Sequence, residues 1–298
     1  MKRAYIELHT AVLLFGFTAI LGKLISIDAV PLVWWRVLLT AASLLVFASV
    51  RRSFRELPLK TILQFVATGS LLALHWISFF LSIKLANVSV ALVAFSTTTF
   101  FTAIAEPLIV GGRVQKYELF LGLLIIPAMA LIVSKLDLAF HLGLWIGIAS
   151  AILIAIFTSI TKRMITKAGP LQITFLQMSG ALLFISIFLP ALPGEIVANV
   201  QIQGDDIIYM LLLALGCTTL AYVLAIRSLR FLTAFASNLT TSLEPIYGII
   251  MAILIFKEHE SLPLGFYIGA AIILSAVFAY PVLRRRHRKK IIADARTS

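Results

Sequence analysis

Apolar runs of about twenty residues, parted by short polar or turn-forming breaks, fill nearly the whole chain. A helix needs about 20 apolar residues to cross a bilayer. Ten runs meet that length: 7–25, 31–50, 62–83, 88–110, 117–135, 142–161, 171–190, 207–226, 233–256 and 263–283. The breaks between them, such as RRSFRELP, GGRVQK and KRMITKAGP, combine charge with Gly or Pro and read as turns. The pattern predicts an all-α integral membrane protein of ten transmembrane helices joined by loops too short to hold a soluble domain. The first run follows a basic start but lacks a small-x-small cleavage site, so it is read as a retained span.

Composition fits that solvent. The chain of 298 residues is 61% hydrophobic and only 13% charged, whereas a soluble domain is about half apolar and about a quarter charged. The net charge of +12 could suggest nucleic acid. The basic residues instead sit in short clusters between apolar runs, the largest being the tail RRRHRKK, Arg284 to Lys290, which suits anionic lipid head groups. No nucleic-acid partner is expected. With Cys217 as the sole cysteine, no internal disulfide can form.

Lys and Arg set the orientation. With the N-terminus inside, the inner loops and termini carry 20 of them, and the outer side carries four: Lys23, Lys84, Lys135 and Lys257. This predicts a multi-pass protein of the cell (inner or plasma) membrane with both termini cytoplasmic.

The two halves repeat. Lys23 and Pro31 match Lys162 and Pro170 at an offset of 139, and LSIKLANVSV matches RSLRFLTAFA at 146, pairing Lys84 with Arg230 and Trp76 with Tyr222. The expected units are a five-helix repeat over 1–138, a second over 139–285, and a basic cytoplasmic tail over 286–298. Five is odd, so the halves enter the membrane from opposite sides. Inverted repeats of this kind are characteristic of secondary transporters, with the substrate near mid-membrane between the repeats.

The stretch RSLRFLTAFASNLTTSLEPIYGIIMAILIFKEH, taken with the span count and the duplication, resembles the EamA-type drug/metabolite transporter superfamily. The motif that carries the resemblance is Glu244-Pro245 in an apolar helix, followed by Glu258. The resemblance implies export of amino acids or other small metabolites, or movement of sugars and nucleotide sugars. No cofactor and no enzymatic activity are expected, because the polar residues inside the spans are scattered and mostly hydroxyls. At the 146 offset the partner of Glu244-Pro245 is Thr98-Thr99; Glu106-Pro107 lies two turns later, so the role of Glu244 is not transferred to Glu106.

Polar residues inside spans are the candidate site. Glu244 is central in span nine, where a charge is costly and should face the bundle interior or a wet cavity. Pro245 removes the helical bond to the Thr241 carbonyl. Glu244 is therefore a candidate for substrate binding and for proton coupling; the alternative is a protonated side chain bonded to a neighbouring helix. Asn238, Thr241 and Tyr247 are placed with it, because 237, 241 and 244 share one helical face, as do 240, 244 and 247. Thr98 gives a milder stripe from the first half. His75 is either a proton carrier or an interior histidine bonded to a hydroxyl across helices. Trp76 and Tyr222 are expected to face each other and either line an aromatic pocket or pack the core. Arg36, five residues past Pro31, is read as snorkelling to the outer surface beside an aromatic belt; the functional alternative is a cation that meets a substrate carboxylate at the outer mouth. Two GxxxG pairs, Gly143/Gly147 and Gly265/Gly269, permit close helix approach. Internal packing is the first reading for both, with span ten a candidate homodimer seam.

Several chemistries lack their residues. GFTAILGK (16–23) is one residue too long for a phosphate loop and lacks its final Ser or Thr. There is no HExxH, no Cys/His ligand set and no GxSxG, so neither a metal nor a hydrolase is expected. The leading function is a secondary transporter exporting small metabolites such as amino acids by alternating access. Uptake or exchange of sugar- or nucleotide-type metabolites is the alternative, and a lipid-acting membrane enzyme a more distant one.

Overall fold

The computed structural model describes residues 2–133, 140–191, 193–194, 199–256 and, between 264 and 283, residues 264–265, 268–269, 271–272, 275–276, 279 and 282–283. Lys135, Lys257, Glu258, the boundary at 138/139 and the basic tail lie outside the described residues. Among the described residues all regular structure is helical. The helices are α1 (Lys2–Leu24), α2 (Ala29–Leu44), α3 (Ala48–Arg51), α4 (Ser53–Glu56), α5 (Leu59–Leu85), α6 (Val88–Ser96), α7 (Thr98–Val110), α8 (Lys116–Val133), α9 (His141–Met164), α10 (Pro170–Phe188), α11 (Asp206–Leu211), α12 (Ala221–Leu229), α13 (Ala234–Thr241) and α14 (Glu244–Phe256). A π-helical segment, Leu212–Leu220, joins α11 to α12. Among the described residues seven helical segments are long and apolar enough to cross a membrane: Lys2–Leu24, Leu59–Leu85, Val88–Val110, His141–Met164, Pro170–Ala191, Asp206–Leu229 and Ala234–Phe256. Ala29–Leu44 is a shorter apolar helix.

The second span differs from its expected 31–50. Helix α2 stops at Leu44, and the chain turns before α3. Arg51 explains the stop: its Nη1 donates to the Leu45 carbonyl at 2.9 Å and the Val46 carbonyl at 2.8 Å. Those carbonyls would otherwise be orphans of a helix end.

Two spans are broken helices, and they break at matching places. Asn87 caps α6 by accepting from the Val90 amide at 2.8 Å, and Thr233 caps α13 by accepting from the Ala236 amide at 3.0 Å. The two caps stand at the 146-residue repeat offset. Thr97 interrupts α6/α7, and Ser242–Leu243 interrupts α13/α14. At each break the backbone closes a tighter i→i+3 turn, Thr97 N–H to Ala94 and Leu243 N–H to Thr240. The breaks touch: the hydroxyls of Thr99 and Ser242 lie 2.8 Å apart. Pro245 therefore sits in the first turn of a new helix, where a missing N–H costs little, rather than kinking a continuous one.

Helix α5 packs against α9 and α10 through the middle of the bundle. Glycine sets how closely. A Cβ on Gly180 would stand 2.0 Å from the Val66 carbonyl oxygen, and one on Gly69 2.3 Å from that of Gln177. The α5–α10 crossing is thus a backbone-on-backbone contact, as small residues allow in membranes. Gly143 and Gly147 do the same job inside the bundle, against Ala86 and Ala94. Gly265 lies against the Leu131 carbonyl.

This crossing generates a stability prediction. Gly180→Ala forces α5 and α10 apart and should cost about 1–3 kcal/mol, the usual penalty of overpacking. The purified protein's apparent melting temperature should fall by several degrees. An unchanged melting temperature would contradict the close approach.

Candidate functional site

A cavity lies in the middle of the bundle, with about 780 Å³ of empty space, part of it open to the surroundings. Its walls come from α1, α2, α5, α6, α9, α12, α13 and α14, so both halves of the chain contribute. Most of the lining is apolar or aromatic, including Phe15, Trp76, Phe79, Phe95, Phe157 and Tyr222. Two ionisable groups of opposite sign, Arg36 and Glu244, line it as well.

Arg36 is 1% exposed. Its Nε donates to the Thr218 hydroxyl at 2.7 Å, and its guanidinium carbon stands 3.9 Å from the centre of the Trp76 ring. Desolvated cation–π contacts are worth about 2 kcal/mol. The π-helical segment places Thr218: its own hydroxyl hydrogen goes to the Leu213 carbonyl at 2.6 Å, five residues back. That leaves the oxygen's lone pairs for Arg36. Nη1 of Arg36 has no hydrogen-bond partner among the described residues. No ion pair joins Arg36 to Glu244 among the described residues.

Glu244 is 5% exposed and opens α14. The first turn of a helix favours a carboxylate, because unpaired amides point at it. Beside it, Ser237, Asn238 and Thr241 also line the cavity. The Asn238 amide donates to the Thr102 hydroxyl at 2.8 Å, and the Thr241 hydroxyl to the Ser237 carbonyl at 3.0 Å.

On the opposite wall, His75 is tied to Ser150 of α9. Its Nδ1 is 3.0 Å from the Ser150 carbonyl and 2.8 Å from the Ser150 hydroxyl, which itself donates to the His75 carbonyl at 2.9 Å. A carbonyl only accepts, so the proton belongs on Nδ1, and Nε2 is the acceptor of the neutral ring. Tyr222 meets Trp76 edge to face, with ring centres 6.2 Å apart. Its hydroxyl donates to Gln177 at 2.9 Å, and Gln177 in turn donates to Thr161 at 2.9 Å and Thr68 at 3.2 Å. That chain of bonds fixes the aromatic wall.

The EamA-like transporter family model matches twice, over residues 2–134 and 141–280. The chain belongs to the EamA-like transporter family. It is thus a multi-pass membrane transporter whose surroundings are lipid and whose cargo is a small molecule. No curated protein matches it. A crystal structure of a protein 14% identical shares its fold with a TM-score of 0.73, over 96% of this chain and 99% of that one.

Within this EamA-like fold, seven of the nine sequence-predicted site residues line the one cavity: Arg36, His75, Trp76, Tyr222, Asn238, Thr241 and Glu244. Two do not. The Thr98 hydroxyl donates to the Phe95 carbonyl at 2.5 Å and is turned into its own helix. Tyr247 packs on α1, where a Cβ on Gly16 would meet it at 2.9 Å. The break at Ser242–Leu243 is the reason: helical phase is lost there, so 237, 241 and 244 reach the cavity while 240 and 247 do not. Arg36 corrects the reading as a snorkelling anchor. Trp76 and Thr218 hold it inward.

Other residues were missed by sequence reasoning. Thr18, Thr218, Gln177 and Ser150 are ordinary hydroxyl or amide residues in apolar runs and carry no motif. Glu106 was set aside, yet its two carboxylate oxygens accept from the Ala234 amide at 2.9 Å and the Phe235 amide at 2.7 Å. It caps α13 from a different helix, and so holds the strand of backbone that carries Asn238 and Thr241. Its acidity next to a proline in an apolar run was the available signal.

Removing that cap should be felt. Glu106→Ala leaves two amides unpaired and should cost about 2 kcal/mol. A melting curve of the purified variant should shift down by several degrees, with Glu106→Gln intermediate. Identical curves for all three proteins would refute the capping role.

Proposed function

We propose that this EamA-like protein is a secondary transporter that exports small metabolites such as amino acids across the inner membrane by alternating access. The observation that carries the reading is the mid-bundle cavity, walled by broken helices from both halves and holding Arg36 and Glu244 among aromatic rings. Half-helices ending at mid-depth are a recurring way for transporters to build substrate sites.

The proposed architecture is ten spans in two inverted five-helix repeats, 1–138 and 139–285, with a basic tail over 286–298 and both termini in the cytoplasm. In this reading the three spans beyond the seven long ones fall on Ala29–Leu44, Lys116–Val133 and the last apolar run of the sequence, 263–283. Several paired features support the duplication. The caps Asn87 and Thr233 are equivalent, and so are the breaks near Thr97 and Leu243. Lys84 donates to the Ile25 carbonyl at 2.8 Å, between α1 and α2, while its counterpart Arg230 donates to the Ala168 carbonyl, between α9 and α10. Each cation clasps the connection between the first two spans of its own repeat. Fusion of a fluorescent protein to the C-terminus should glow, and fusion of alkaline phosphatase there should be inactive; the reverse would overturn the orientation.

In this reading Glu244, Asn238, Thr241, Trp76, Tyr222 and Arg36 contact substrate. Glu244 is the proposed proton-coupling group. His75, whose Nδ1–H is engaged, offers Nε2 to the cavity as the second candidate. The test is efflux from cells loaded with amino acids as dipeptides. Wild type should export, and Glu244→Gln at equal membrane abundance should lose at least about tenfold in rate, the cost of removing one charge-assisted contact. Unimpaired efflux in the variant would leave transport standing and make Glu244 structural. No efflux of any amino acid would move sugar- and nucleotide-type cargo forward.

A further inference from the structure

Two buried side-chain atoms have no hydrogen-bond partner among the described residues: Thr18 Oγ1 and Arg36 Nη1. Buried polar groups are almost always paired, and each exception needs a cause. Both exceptions here belong to residues that line the same cavity. Their residues are 4% and 1% exposed, so bulk water does not account for them. Arg36 is the more telling. A guanidinium carries five donors, and Nε alone is spent, on Thr218. Burying a charge without its hydrogen bonds costs several kcal/mol. A protein that keeps one in this state at mid-bundle has a site for the missing acceptor.

The cavity's charges narrow what that acceptor belongs to. Arg36 and Glu244 together make a wall of no net charge but strong polarity. A net anion would gain from Arg36 and be repelled by Glu244, and a net cation the reverse. A molecule with both signs a few bonds apart gains from both. The rest of the lining, with Phe79, Phe95 and Phe157, suits an apolar or aromatic body.

Resting on the transporter reading, we propose that Arg36 and Thr18 form the carboxylate half of a site specific for zwitterions, with Glu244 as the ammonium half. A carboxylate oxygen accepts from Arg36 Nη1–H and from the Thr18 hydroxyl. The ammonium group donates to Glu244, and the side chain lies on the phenylalanine wall. The Trp76 face holds the planar guanidinium in place beforehand, so little freedom is lost on binding. Arg36 is thereby the residue that separates amino acids from amines and from neutral sugars.

The test uses the purified full chain in detergent and equilibrium binding followed by tryptophan fluorescence and titration calorimetry. The probes are L-phenylalanine, L-leucine, L-phenylalaninamide and 3-phenylpropionate. The first two should bind. The amide, which lacks the carboxylate, and the propionate, which lacks the amine, should bind at least about tenfold more weakly. Arg36→Gln should abolish phenylalanine binding. Because that variant could fold poorly, Thr18→Val provides a second reading: it keeps shape and charge, and should weaken phenylalanine by about threefold to tenfold, the worth of one hydrogen bond. Equal affinity for phenylalanine and its amide, unchanged binding in Thr18→Val, or no binding of either amino acid would overturn the proposal. Counterflow in proteoliposomes separates the two readings. Binding with the predicted selectivity but no counterflow would sink transport and leave the zwitterion site. Counterflow of a sugar or a net ion, indifferent to phenylalanine, would do the opposite.

Discussion

A guanidinium held in the middle of a lipid-embedded bundle is the constraint around which the site is arranged. Arg36 enters from α2, one short apolar helix, and everything it needs comes from elsewhere. Trp76 of α5 supplies a ring face, the π-helical segment supplies Thr218, and α14 supplies the opposing charge. None of these is near it in sequence; Thr218 lies 182 residues away. A charge in lipid is tolerated when it faces the interior and finds partners. Here the partners are positioned by secondary structure that departs from the regular α-helix. The π segment turns Thr218 back onto Leu213, and the break before Glu244 brings that carboxylate to the start of a helix.

The two broken helices hold the other half of the arrangement. They meet at Thr99 and Ser242, and the N-terminus of each is capped by a side chain at the same repeat position. Helix α13 needs more than its own cap, because it carries Asn238 and Thr241 into the cavity. Glu106 provides it through the Ala234 and Phe235 amides. A short helix of eight residues has few bonds of its own, so fixing its first amides from outside keeps the cavity wall in place. The glycine crossing of α5 on α10 does comparable work on the opposite wall, since α5 carries His75 and Trp76.

Much of this fold was legible before any coordinates. Apolar run length announced the seven long spans found among the described residues, and the offset that pairs Lys84 with Arg230 also pairs Asn87 with Thr233, two caps that the structure uses alike. Glu244 with Pro245 marked a break in span nine. The equivalent break at Thr97 carried no proline and went unseen, because a threonine that bonds its own helix looks like any other threonine. The reading of Arg36 as a snorkelling anchor fails, since lysine and arginine near a span end usually point outward and only the remote Trp76 face and Thr218 make the buried position tenable. Glu106 failed for a related reason: its partners are backbone amides, which no sequence pattern displays. Gly69 and Gly180 are unremarkable singly and acquire meaning only as a pair that brings two backbones together.

The account's central claim is that the cavity holding Arg36 and Glu244 is reached by solvent from each side of the membrane in turn. Thr241 lines that cavity and lies next to the break. In a Cys217→Ser background, Thr241→Cys can be challenged with a membrane-impermeant thiol reagent, first in spheroplasts and then in inside-out vesicles. The account predicts labelling from both sides, slowed when the cavity is filled by substrate. Labelling from one side alone, or from neither, would contradict it.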